Sequence, residues 1–247
     1  ALLLASTVPP CQAYDPAFAY ELGVIIEDGI HRMYVENEDI FYYLAIYNEN
    51  YQQPAAPAGL DRDALLKGLY RYEAAPPGRR HSASILFSGS AQGGALVAAQ
   101  ILADDYDVGT ELWSATSYKR LREEAMSANR HNLLHPEGPR REPFVSQQLA
   151  DGKGPIVAVS DFMRAVPDQV ARWMPRDYTS LGTDGFGRSD TREQLREHFE
   201  ITAEHIVVSV LGRLADAGSI DRSIVVEAIK QYGLATDLPD PWDSVAH

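Results

Sequence analysis

The sequence predicts an α/β fold in which a mostly parallel sheet is covered by helices and is preceded by the end of a second α/β unit. Three observations carry this. From residue 84 onward, short apolar runs alternate with segments of roughly ten residues at helical spacing, as βαβ crossovers require. Before that, "NENYQQPAAPAGLD" and "APPGRRHS" break all periodicity and mark a boundary between about residues 50 and 80. The 247 residues, 45% of them hydrophobic, can build the core of one large domain or two small ones.

Taken in order, "LLLAS" reads as a buried strand entered in mid-course. The chain opens on Ala1 without an initiator methionine, so a fragment of a longer protein is expected. Residues 15–34 read as a helix packed on a sheet, with Asp15 as N-cap and Pro16 at the first helical position. The β-rich run "DIFYYLAIY", 39–47, lacks polar alternation and reads as a central strand covered on both faces. After the boundary, strands are expected at 84–88, 110–117, 155–161 and 178–182. Helices are expected at 94–106, at 118–126, in "PFVSQQLAD" and in "RAVPDQVARWM". Three more, "TREQLREHF", "AEHIVVSVLGRLADAG" and "DRSIVVEAIKQYG", close the chain.

Charge and composition exclude several functions. With 35 acidic against 22 basic side chains, the net charge of −13 repels nucleic acid and anionic membrane surfaces. Cys11 is the only cysteine, which rules out an intrachain disulfide or a cysteine-based zinc site and fits a reducing cytoplasm. No apolar run approaches the ~20 residues of a membrane span, and the N-terminal stretch lacks the features of a signal peptide. A soluble, unexported protein is expected.

Candidate chemical motifs are sparse. "SGSAQGG", 88–94, lies at a strand-to-helix turn where backbone amides can meet an anion. It matches neither the dinucleotide nor the P-loop glycine spacing, and a tight turn is the simpler reading. His131 and His135 have metal-binding i, i+4 spacing, but Pro136 and Gly138 argue for a loop and a third ligand is missing. "DDYD", 104–107, reads as a solvated helix end, and Glu27, Asp28, Glu123 and Glu124 as surface charge. The seven histidines allow no Ser/His/Asp triad to be assigned.

The most informative stretch is "LGTDGFGRSD", 181–190, with Gly182, Gly185 and Gly187, two aspartates and an arginine between a strand and a helix. Ser189 and Asp190 are N-cap candidates, Asp190 forming a capping box with Glu193. The loop falls at the carboxyl end of a parallel strand, the customary ligand edge of open α/β sheets. Ligand contact and plain capping both fit.

Together with "YDPAFAYELGVIIEDGIHRMY", "YYLAIYNENYQQPAAP", "KGLYRYE", "ATSYKRLREEA" and "NLLHP", the segment "LGTDGFGRSDTREQLREHFEITAEHIV" resembles the C-terminal part of transketolase-like thiamine diphosphate enzymes. Within them it is most similar to the homodimeric pyruvate dehydrogenase group. The resemblance implies the end of a pyrimidine-binding middle domain at 1–55, a linker at 56–76 and a transketolase-like C-terminal domain at 77–247. It implies a whole enzyme that uses thiamine diphosphate and Mg2+ to decarboxylate pyruvate and passes the acetyl unit to the lipoyl group of the acetyltransferase. The implied partners are a second copy of itself, its own remaining domains and dihydrolipoyl acetyltransferase. The family's G-D-G…N-N diphosphate motif begins at Asp184-Gly185 but finds no asparagine after Asn132, and the family's catalytic residues lie upstream. No catalytic, cofactor-binding or metal-binding residue is therefore expected in this span. Asp184, Gly185, Phe186, Gly187, Arg188, Ser189 and Asp190 are expected to form a structural or interface loop. The alternative is a free-standing, non-catalytic α/β dimerisation or docking module.

Overall fold

The computed structural model describes residues 1–243 and contains two sheets. The smaller joins β1 (Cys11–Tyr14) and β2 (Phe41–Leu44) in parallel, with Cys11 opposite Phe41, and α2 (Ala19–Ile30) connects them. A short turn of helix, α1 (Leu2–Ala5), precedes β1, and a π-helical turn over His31–Val35 extends α2.

The larger sheet has five strands. These are β3 (Tyr70–Glu73), β4 (His81–Phe87), β5 (Val108–Ser114), β6 (Ile156–Val159) and β7 (Tyr178–Leu181), in the order β3-β5-β4-β6-β7. β3 runs antiparallel to β5, and every other pairing is parallel. Strand periodicity sends alternate side chains to opposite faces. Ile85, Phe87, Val157 and Val159 pack under α4 (Gln92–Tyr106), α8 (Ala203–Asp216) and α9 (Arg222–Tyr232). Leu86, Ile156 and Ala158 pack on the other face, under α5 (Tyr118–Leu134), α6 (Phe144–Leu149) and a 3-10 turn at Pro167–Trp173. Two covered faces explain why these strands read as unbroken apolar runs.

Local chemistry sets the helix ends. Ser117 accepts a hydrogen bond from the Arg120 amide at the start of α5, and Asp221 one from Ser223 at the start of α9. Within the span read as a linker, α3 (Arg62–Lys67) is capped by Asp61 and stops at Gly68, whose φ of 112° only glycine adopts readily. There β3 adds the antiparallel edge strand to the sheet.

Several local expectations are corrected. Leu2–Ala5 is a helical turn with only Leu2 buried, while Leu4 is 73% exposed, so it is not a strand. Asp15 is not an N-cap: Phe18 occupies that position, and Glu21 caps α2 by accepting from the Ala17 and Phe18 amides. β2 is a strand, but β1 is its sole in-sheet neighbour among the described residues, which makes it an edge rather than a central strand there, and Phe41 is 49% exposed. α5 runs on to Leu134, placing His131 in the helix rather than in a loop. The 167–173 segment winds as a 3-10 turn, not an α-helix, with Pro167 at its start.

Candidate functional site

β4, β6 and β7 end together at the carboxyl edge of the sheet. The Ser90 hydroxyl, just after β4, donates to the Asp161 carboxylate after β6 at 2.5 Å. Ser88 and Ser160 bond at 3.2 Å, and the Thr183 hydroxyl, just after β7, donates to the Asp161 carbonyl at 3.1 Å. Over these ends lie the 182–190 loop and α7 (Arg192–His198), enclosing a cleft of about 490 Å³. Asp161, Thr183, Arg188, Arg192 and Arg196 supply its polar lining, and Leu195, Phe199 and Ile201 its apolar wall.

The seven loop residues do different things. Asp184 accepts from the Arg164 Nε at 2.6 Å, and the Arg164 guanidinium stands 4.8 Å from the centre of the Trp242 ring. Gly185, at φ 112°, lies so close to the chain end that a Cβ would come within 2.7 Å of the Pro241 carbonyl oxygen. Phe186 is 82% exposed. Gly187 and Arg188 line the cleft, and Arg188 makes no ion pair among the described residues. Ser189 and Asp190 face an adjoining hollow with His198, whose pKa is lowered by burial and then by the Arg188 charge.

The expected capping by Ser189 or Asp190 is corrected. Thr191 is the N-cap of α7, accepting from the Gln194 amide, and Asp190 accepts from the Thr191 amide. The threonine stands one position nearer the helix and leaves the aspartate outside it.

Sequence reasoning missed the rest of the cleft. Arg196 forms a two-pronged contact with Glu49 at 2.5 and 3.2 Å, and Arg192 donates to Asn48 at 2.5 Å. The "NEN" segment after β2 is thus clamped to α7. The i, i+4 spacing of the two arginines is visible in "REQLR", but nothing local names their partners across the chain.

A second polar site lies where the first fifty residues meet the sheet. Asp15 is fully buried and accepts a hydrogen bond from the Tyr47 hydroxyl, while its other oxygen has no partner among the described residues. Burial pushes its pKa up to about 7, although the hydrogen bond from Tyr47 opposes the shift. Glu21, equally enclosed, is also raised by burial. The remaining sequence candidates form no site. The His131 and His135 rings stack 4.4 Å apart, and among the described residues no group of three or more His, Cys, Asp or Glu side chains could hold a metal ion. Glu27, Asp28, Glu123 and Glu124 are more than loose surface charge, since Arg62, Tyr42, Lys119 and the Phe144 amide engage them in turn.

Residues 68–202 match the family model of the transketolase-like C-terminal domain. The chain belongs to that family. Residues 1–54 match the model of the pyruvate dehydrogenase E1 component middle domain. Among curated relatives of this transketolase-like chain, the pyruvate dehydrogenase E1 component of Mycolicibacterium smegmatis is 54% identical over 232 residues, covering 94% of this chain and 25% of the relative. That of Escherichia coli K12 is 43% identical over 237 residues, covering 95% and 26%. The chain spans about a quarter of the length of the curated relatives it matches. Transketolase from Campylobacter jejuni superposes with a TM-score of 0.57 at 16% identity, over 85% of this chain and 27% of that one, a likeness of fold. Among the described residues no helix is long and apolar enough to cross a membrane.

Proposed function

We propose that this chain is the C-terminal portion of the homodimeric pyruvate dehydrogenase component, a cytoplasmic enzyme. The whole subunit decarboxylates pyruvate with thiamine diphosphate and Mg2+ and transfers the acetyl group to the lipoyl group of dihydrolipoyl acetyltransferase. The observation that carries this reading is the consecutive match of a middle-domain model and a C-terminal-domain model along one chain, with 54% identity to a pyruvate dehydrogenase E1 component over 94% of it. In this reading residues 1–55 end the pyrimidine-binding middle domain, 56–76 link the two while contributing α3 and the edge strand β3 to the C-terminal side, and 77–247 form the C-terminal domain. The exposed Ile26, Ile30, Tyr34, Val35, Phe41 and Ile46 of the first segment are suited to contact with the rest of the same subunit.

The residues present do not fit the cofactor. Asp184, at the start of the diphosphate-like motif, is already neutralised by Arg164, whose side chain and backbone amide both donate to it, and among the described residues no group of carboxylate or other metal-ligating side chains converges on it as magnesium requires. No catalytic step is assigned to this span. The cofactor is held upstream, and the 184–190 loop is structural or at an interface between copies, with exposed Phe186 as its apolar contact.

The test is to purify the 247-residue chain and the full subunit separately and assay pyruvate decarboxylation with thiamine diphosphate and Mg2+. Only the full subunit should turn over. Activity in the pure short chain would refute the assignment.

A further inference from the structure

We infer that the cleft beneath the 182–190 loop binds a small organic monoanion: a carboxylate that also carries a hydrogen-bond donor and a short apolar body. The argument rests on the cleft itself and does not depend on the proposed enzyme activity.

The chain as a whole carries −13, yet the lining of this cleft holds three arginines against one aspartate. Three guanidinium groups, of Arg188, Arg192 and Arg196, face the two carboxylates of Asp161 and Glu49. Glu49 is committed to Arg196, and Arg192 approaches it only at 3.9 Å. Arg188 has no acidic partner among the described residues, so its planar fork of donors is open for a carboxylate. Asp161 uses one oxygen to accept from Ser90, which leaves the other as an acceptor for a ligand hydroxyl or ammonium. Leu195, Phe199 and Ile201 form a wall that hydrates poorly and gives an alkyl group a place to be buried.

The same features select the ligand class. Asp161 in the cleft repels a phosphate dianion more strongly than a carboxylate, and the apolar wall offers a phosphate's remaining oxygens no donor. A volume of about 490 Å³ suits a small metabolite. The Thr183 and Ser90 hydroxyls both donate within the protein, so the arginines and Asp161, not these hydroxyls, hold the ligand.

The experiment is titration calorimetry of the full-length subunit with 2-hydroxy-4-methylpentanoate, and with its amide as the uncharged control. Saturable binding with a dissociation constant on the order of 1 mM is expected. Arg188→Gln should weaken it roughly tenfold, as loss of a forked charge-assisted contact does, and the amide should not bind. Because Arg188 supports no ion pair in the described structure, this variant leaves the fold intact. Arg188→Lys, which keeps the charge but not the fork, should fall between the two. Absence of saturable binding, equal binding of the amide, or unchanged affinity in the Arg188→Gln/Arg192→Gln double variant would each overturn the inference.

Discussion

Two clusters of charged and hydroxyl groups, the Glu21 junction and the 182–190 cleft, use the same residue types to opposite ends. At the junction, Glu21 is wholly buried and every oxygen has donors: the Ala17 and Phe18 amides at 2.5 and 3.1 Å, and the Tyr70 and Ser114 hydroxyls, each at 2.6 Å. Those donors come from the approach to α2, from β3 and from β5, so one carboxyl group ties the first fifty residues to the larger sheet. In the cleft the arginines remain partly exposed, and one of them is unpaired among the described residues. An enclosed, saturated network fixes position, because opening it leaves polar groups buried without partners. An open, unsaturated one keeps its binding capacity for something else.

The sharpest way to break this comparison is Glu21→Ala. It strands four buried donors at once, and a loss of about 4 kcal/mol is expected in urea unfolding followed by tryptophan fluorescence. Glu21→Gln keeps the volume and an acceptor, and should cost about 1 to 2 kcal/mol. An alanine variant within about 1 kcal/mol of the parent would mean that the network contributes little.

Asp15 lies at the same junction but is incompletely satisfied, which makes it sensitive to pH. Its folded pKa of about 7 lies above the ordinary 3.8 of an unfolded aspartate. Between those values the folded state holds a proton that the unfolded state has released. The contribution is therefore fully present below about pH 4, falls as pH rises through the window and is lost above about 7. The limiting slope is about 1.4 kcal/mol per pH unit, or about 4 kcal/mol in all between the two plateaus. Glu21, raised in the same direction, adds to the trend. In Asp15→Asn the slope over pH 4–7 should shrink measurably in urea titrations at stepped pH, and an unchanged slope would assign the titration elsewhere.

Glycine substitutions compare the two regions through sterics and backbone conformation. A Cβ at Gly89 would lie 2.3 Å from the Tyr47 hydroxyl and 2.4 Å from Asp15, at a φ of 49°. Gly187, in the loop, has nothing within 4 Å. Gly89→Ala should cost about 2 kcal/mol in thermal unfolding, and Gly187→Ala less than about 0.5. Equal effects would erase the distinction between a closed junction and an open cleft.

How far each region can be read from sequence follows from the range of its interactions. Four of the five strands of the larger sheet are legible because burial on both faces leaves continuous apolar runs such as "SILF" and "PIVAV"; the edge strand β3, with the polar alternation of "YRYE", falls inside the span read as a linker. The 182–190 loop was placed at the ligand edge for the same reason. Asp15 was misread because Asp-Pro is a strong local cap signal, whereas its carboxylate is turned toward Tyr47, 32 residues on. The end of α5 was placed short because Asn and His are indifferent helix formers and Pro136 stops the helix only after Leu134. The cleft was half legible: the arginines of "REQLR" share a helix face, but Glu49 lies 147 residues from Arg196.

That long-range ion pair supplies a smaller expected effect. Arg196→Ala removes a half-buried, two-pronged contact and leaves Glu49 beside Arg192, which can take over part of the charge. A loss of about 1 kcal/mol is expected, diminishing in high salt, where a closed network such as that of Glu21 would not weaken. Arg188→Gln, with no partner to lose, should change stability by less than about 0.5 kcal/mol. If unfolding showed Arg188 to matter as much as Arg196, its charge would already be satisfied within the chain, and the cleft would be a second structural network rather than an open one.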